Sequence, residues 1–112
     1  MSGLILTGLK PHSGVSLVHL ALTLMFQKKR KSVSPVASSL AQASVLSRVS
    51  RRFCPNLDPG ILSAQQIKDS LARALVGADI VTIEISKHDD ALALSKEIGA
   101  SVIVVIDEEL LL

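Results

Sequence analysis

From Gly8 to Ser16 the chain reads Gly-Leu-Lys-Pro-His-Ser-Gly-Val-Ser, which sets an amine, an imidazole and two hydroxyls around two glycines. An aliphatic run, Leu4-Ile5-Leu6-Thr7, precedes it, and a helical apolar period follows it. Strand, glycine-bracketed turn and helix form the context of a phosphate loop: backbone N–H groups wrap the phosphates and the helix N-terminus adds a favourable dipole. Gly8 and Gly14 permit the close turn, and Ser16 stands where a hydroxyl reaches Mg²⁺. The candidate phosphate-binding set is Gly8, Lys10, His12, Ser13, Gly14, Val15 and Ser16. Val15 occupies the place of the usual lysine, so the ammonium that offsets terminal phosphate charge is missing, and Lys10 or His12 is the substitute. Pro11 removes one N–H donor. The same residues also suit an ordinary strand–turn–helix connection.

Other polar residues point to less chemistry. His12, His19 and His88 lack zinc-ligand spacing. His19 sits in an apolar helical run and reads as a satisfied core histidine. His88-Asp89-Asp90 reads as a solvated helix start rather than an acid/base group. Ser63 has no nucleophile-elbow glycines around it. Lys28-Lys29-Arg30-Lys31 follows the first helix, where positive charge complements the helix dipole.

The elements that must position the turn follow from periodicity. Apolar residues from Val15 to Gln27 recur at helical spacing on most sides, the pattern of a helix packed against a sheet. Ser32 to Ala37 reads as a second strand that ends near Pro35. Ser38 to Arg52 reads as a helix and 54–60 as a loop. Ser63 with Gln66 forms a capping box for a helix that stops at Gly77. Ile80 to Ile85 is a β-branched strand, Asp89 or Asp90 caps the next helix, which ends near Gly99, and Ser101 to Ile106 is a fourth strand. Strands alternating with helices imply an α/β fold: a parallel sheet of about four strands with flanking helices, in one domain spanning 1–112.

Composition limits the alternatives. Apolar residues make up 48% of the 112 residues, enough for a real core, and they are aliphatic: Trp and Tyr are absent and Phe occurs twice. That set suits buried parallel strands and not a base-stacking platform, so nucleic acid is a disfavoured partner. Residues 1–56 hold eight Lys/Arg and no acid, against four Lys/Arg and ten Asp/Glu in 57–112, for a net charge of +2. The basic half attracts anions. The lone Cys54 excludes an internal disulfide and favours a reducing, cytoplasmic setting. The apolar stretch Val15–Phe26 is too short for a membrane span. A four-stranded sheet leaves apolar edges, which implies a homo-oligomer or a partner subunit covering it.

Several segments, in order, resemble the dethiobiotin synthetase family. Thr7 to Ser16 resembles its phosphate loop, which opens Thr-Gly and closes Gly-Lys-Thr. Val33-Ser34-Pro35-Val36-Ala37-Ser38 resembles its Lys-Pro-Val-Ala-Ser segment, and Pro59 to Gln65 its Pro-His-x-x-Ser-Ala stretch. Ala78 to Glu84 resembles the strand ending in Glu before a Gly-rich turn, and Ala100 to Val105 the strand after it. The resemblance covers nearly the whole chain and implies the N-terminal half of a fold related to MinD-type and cobyrinate-synthase ATPases. It implies ATP and Mg²⁺ as cofactors and closure of a ureido ring on a diamino acid carbamate. Carried over, Ser16 contacts Mg²⁺ and phosphate, and Glu84 helps hold the metal.

The departures from that pattern are Val15 and Ser34 in place of lysines, Ile85-Ser86-Lys87 in place of the Gly-rich turn, no acid in 39–57, and no C-terminal half. Each missing charge aimed at the transferring phosphate costs about 3–4 kcal/mol of transition-state stabilisation. The expectation is a degenerate P-loop-like module without catalysis, binding nucleotide or phosphate weakly or acting structurally. Two alternatives stand beside it: an ATP- and Mg²⁺-dependent carbon–nitrogen ligase completed by a partner, and a basic module that binds anions or nucleic acid.

Overall fold

The structure, a computed structural model, describes residues 3–9, 14–37, 39–56 and 63–106. In chain order it comprises β1 (Gly3–Gly8), α1 (Val15–Lys28), β2 (Val33–Val36), α2 (Leu40–Ser50), α3 (Ala64–Ala74), β3 (Ile80–Glu84), α4 (His88–Ile98) and β4 (Ser101–Val105). The strands form one sheet in the order β2-β3-β1-β4, and every pairing is parallel. This is the expected α/β architecture, with helices supplying the crossovers that parallel strands require.

Strand alternation sends side chains to two faces. On one, Ile5, Val81, Ile83 and half-buried Val102 meet Leu71 and Ala74 of α3 and Ala91 of α4. On the other, His19 of α1 bonds Thr82 and Glu84 of β3, and Ala37 meets Ala43 and Leu46 of α2 with half-buried Leu20 of α1. The helices that follow β1 and β3 therefore lie on opposite faces, although the two strands are neighbours.

Pro35 does not end β2 but lies inside it. β2 is an edge strand, and the Ala37 N–H donates outward to Pro55 C=O at 3.0 Å. By alternation Pro35 also faces outward, where a missing N–H breaks no ladder bond. The bridge between Ala37 and Asn56 covers that edge. β4 forms the other edge and carries no proline or charge.

The capping box of α3 forms as expected: Ser63 Oγ accepts from Gln66 N at 3.2 Å, and Ser63 N donates to Gln66 Oε1 at 2.8 Å. Two expectations are corrected. The N-cap of α4 is Lys87, not Asp89 or Asp90, which fall in the first turn and act on the helix dipole instead. α1 is half open rather than enclosed: Leu17 is 72% exposed, Leu24 51% and Met25 41%, while the fully buried residues are the polar His19 and Thr23. The polar pair claims the inward stripe because Thr82 and Glu84 lie opposite it, so the apolar residues turn outward.

Cys54 is buried with Ala37, Ala43 and Leu46. Burial pushes its thiol up from the ordinary 9.0 to about 12; a backbone contact at Ala37 opposes the shift and the Glu84 charge adds to it. The folded chain thus holds this proton more tightly than the unfolded chain does. The resulting stability is complete below pH 9.0 and is lost as pH rises toward about 12. Thermal midpoints measured across that range should fall more steeply for wild type than for Cys54→Ala. A difference between the two proteins that does not vary with pH would contradict this.

Candidate functional site

The site lies at the carboxyl ends of β1 and β3. In open α/β sheets, adjacent strands whose following helices take opposite faces leave a crevice there, the place where ligands bind. Register pairs Leu6 with Glu84 and Leu4 with Thr82, so both polar residues of β3 face α1. β1 ends at Gly8. Chain order then brings α1 in above the same strands, with Gly14 as its N-cap in the left-handed region at φ 89°. A Cβ on Gly14 would meet nothing within 4 Å, so its glycine is required by backbone conformation and not by space.

Two elements, α1 and β3, meet at one carboxylate. Ser16, in the first turn of α1, donates from Oγ to Glu84 Oε2 at 3.0 Å. His19, one turn on, places Nδ1 3.0 Å from Glu84 Oε1 and Nε2 2.7 Å from Thr82 Oγ1. Thr23, a further turn along, donates to His19 C=O at 2.9 Å. His19, Thr23 and Thr82 are fully buried, and Glu84 is 5% exposed. An ionised carboxylate only accepts, so Nδ1 of His19 carries the proton toward Glu84. Nε2 then accepts from the Thr82 hydroxyl when the ring is neutral and donates to it when the ring is charged.

The electrostatics of α1 differ from those of the other helices. Ser39 caps α2, Ser63 caps α3, and Asp89 and Asp90 supply negative charge to the first turn of α4. α1 has no side-chain cap and no acid in its first turn. Glu84, reaching from the neighbouring strand to Ser16, provides that negative charge.

Ser16 and Glu84, both anticipated from sequence, are thus brought together from positions 68 residues apart. Val15 is half-buried at the first helical position, and Gly8 and Gly14 bracket the turn. Lys10, His12 and Ser13 lie outside the described residues. His88 sits 3.4 Å from Asp89 with both side chains well exposed, a solvated helix start. His19 is the satisfied core histidine read from the sequence, fully buried with both ring nitrogens partnered, but its partners Glu84 and Thr82 were not anticipated. The signal for such a contact is a polar stripe, Ser16, His19 and Thr23, at helical spacing in an otherwise apolar segment.

The donor set suits Mg²⁺. That ion takes oxygen ligands at about 2.0–2.1 Å in near-octahedral geometry, usually one or two carboxylates with phosphate and water. Neighbouring octahedral oxygens then stand about 2.9 Å apart. Ser16 Oγ and Glu84 Oε2, at 3.0 Å, match two adjacent positions. No protein-family model matches this chain, and no curated protein is significantly similar to it.

Removing one partner of a buried hydrogen-bonded pair leaves the other unsatisfied, at a cost of about 1–3 kcal/mol. Glu84→Ala should lose stability on that scale in urea unfolding, while Glu84→Gln, which still bonds His19 and Ser16, should lose clearly less. Equal losses in the two variants would show that the carboxylate end contributes no specific bond.

Proposed function

We propose that this chain is a degenerate P-loop-like module, related in design to the dethiobiotin synthetase family, that binds nucleotide or phosphate weakly with Mg²⁺ and does not turn it over. The observation that carries the reading is the 3.0 Å contact of Ser16 Oγ with Glu84 Oε2 at the sheet's switch point. Ser16 and Glu84 would hold the metal, and the metal would neutralise the charge between carboxylate and phosphate. The first-turn N–H groups of α1, without side-chain caps, are free to face phosphate oxygens. Without Mg²⁺, Glu84 repels the same phosphates.

Absence of turnover follows from Val15. An aliphatic side chain at the first helical position brings no charge to a developing phosphoryl transition state. The module then serves a structural or regulatory role in the cytoplasm. No described helix is long and apolar enough to cross a membrane.

A partner or a second copy completes the sheet at β4. Support comes from the contrast between the edges: Pro35 and the Asn56 bridge blunt β2, whereas β4 is an uncharged Ser-Val-Ile-Val-Val strand with Val104 40% exposed. Sedimentation should show self-association that Val104→Lys abolishes. A monomer at millimolar concentration would leave a different subunit as the partner.

Thermal shift tests the site. At tenfold excess over Kd a ligand specific to the native state adds about 1.4 kcal/mol, a rise of several degrees in a domain of this size. ATP and ADP at millimolar concentration should raise the midpoint only with Mg²⁺, with no phosphate released, and Ser16→Ala should abolish the rise. Phosphate release would establish a working ligase or ATPase. Binding that is steeply salt-dependent and indifferent to Ser16→Ala would favour a basic anion or nucleic-acid binder.

A further inference from the structure

A second concavity lies away from the phosphate turn. It sits between the edge strand β2, the C-terminal half of α3 and the segment 52–55, with a volume of about 360 Å³, within the range of small-molecule sites. Its buried end is formed by Ser34 and Ala74, and its rim by Arg73 and Phe53, whose ring is 85% exposed. Arg52 and Pro55 complete the wall, and among the described residues no acidic side chain lines it.

The two arginines differ in what they do. Arg52 clasps the end of α3: Nη2 donates to Val76 C=O at 2.7 Å and to Ala74 C=O at 3.3 Å, and Nη1 to Ser32 Oγ at 3.3 Å. These bonds satisfy carbonyls that a helix end leaves open and fix the guanidinium in place. A guanidinium carries five N–H donors, so the clasp leaves two for a ligand. The guanidinium of Arg73, in the last turn of α3, makes no hydrogen bond or ion pair with any described residue, although its backbone C=O accepts from Val76 N–H at 3.2 Å. Its whole fork is open to a carboxylate or phosphate, which it suits in bidentate geometry.

A cationic wall with an open guanidinium, hydroxyls from Ser34 and Ser70 and an exposed ring at the rim has a defined chemical complement. We infer that this cavity binds a small organic oxyanion, a carboxylate or phosphate monoester carrying one flat apolar group. The anion pairs with Arg73, with Arg52 behind it, and the flat group lies against Phe53 and Pro55. The cavity volume of about 360 Å³ admits a ligand of roughly one or two fused rings. The site shares no residue with the Ser16–Glu84 cluster and stands independently of the nucleotide reading.

The test uses 2-naphthoate, with amide chemical shifts recorded for the whole chain. Saturable shifts should map to Ser34, Arg52 to Cys54 and Ser70 to Ala74. Arg73→Gln should weaken binding by about tenfold or more, the loss of one charge-assisted pair. Phe53→Ala should weaken it by a smaller factor, and Ser16→Ala should leave it unchanged. Both substituted rim residues are exposed, so folding is retained and is checked by the same spectra. The neutral isostere 2-naphthylmethanol should bind at least about tenfold more weakly than the carboxylate. The inference is overturned if Arg73→Gln binds like wild type, if the alcohol binds as well as the acid, or if shifts spread without saturation over the exposed apolar residues of α1.

Discussion

A carboxylate that is 5% exposed needs partners, and Glu84 finds them in an imidazole with no exposure at all and in a hydroxyl at a helix start. This bond between β3 and α1 is the constraint on which the rest of the arrangement turns. It dictates which stripe of α1 faces the sheet. Because His19 and Thr23 occupy that stripe, Leu17 and Leu24 are left outside. A helix as apolar as α1 would otherwise bury its leucines. A buried hydrogen-bonded pair seldom stabilises more than apolar groups of the same shape, so its contribution here lies in register and orientation. Thr82 and Glu84, two apart on one face of β3, accept one ring only when α1 sits at a single height along the strand.

That height sets the geometry at the top of the sheet. It brings Ser16 to the second oxygen of Glu84 and places the uncapped start of α1 over the crevice between β1 and β3. The same carboxylate lends negative charge to a helix that has none in its first turn. It therefore serves the fold without any ligand, with His19 holding it, and in the proposed reading the same carboxylate would hold Mg²⁺. The far side of the molecule follows a separate logic. There Arg52 closes the end of α3, and the edge of β2 is blunted by Pro35 and the bridge to Asn56, while no described strand pairs with the outer edge of β4.

Much of the fold was legible because it is written in local chemistry. The β-branched run 80–84, the Ser63–Gln66 capping box and the left-handed Gly99 each act over a few residues, and each falls where the sequence places it. Ser16 and Glu84 were also legible as candidates. What joins them was not, since the 68-residue separation closes only once β3 lies beside β1. Strand order is set by such long-range pairing, which no local period encodes. The N-cap at Lys87 was missed for a related reason: the turn after β3 starts the helix before either aspartate can cap it. His19 was legible as a satisfied core histidine, but its partners Thr82 and Glu84 were not, because they lie more than 60 residues away on β3.

The proton on His19 Nδ1 reports directly on this cluster. A long-range ¹⁵N–¹H correlation spectrum of the imidazole, recorded at neutral pH, distinguishes the tautomers and shows whether the ring proton exchanges with water. The ring clamped between Glu84 and Thr82 predicts a proton on Nδ1, shifted downfield, protected from exchange and lost as a distinct signal in Glu84→Ala. A ring protonated chiefly on Nε2, or one exchanging as freely as the exposed His88, would contradict the account.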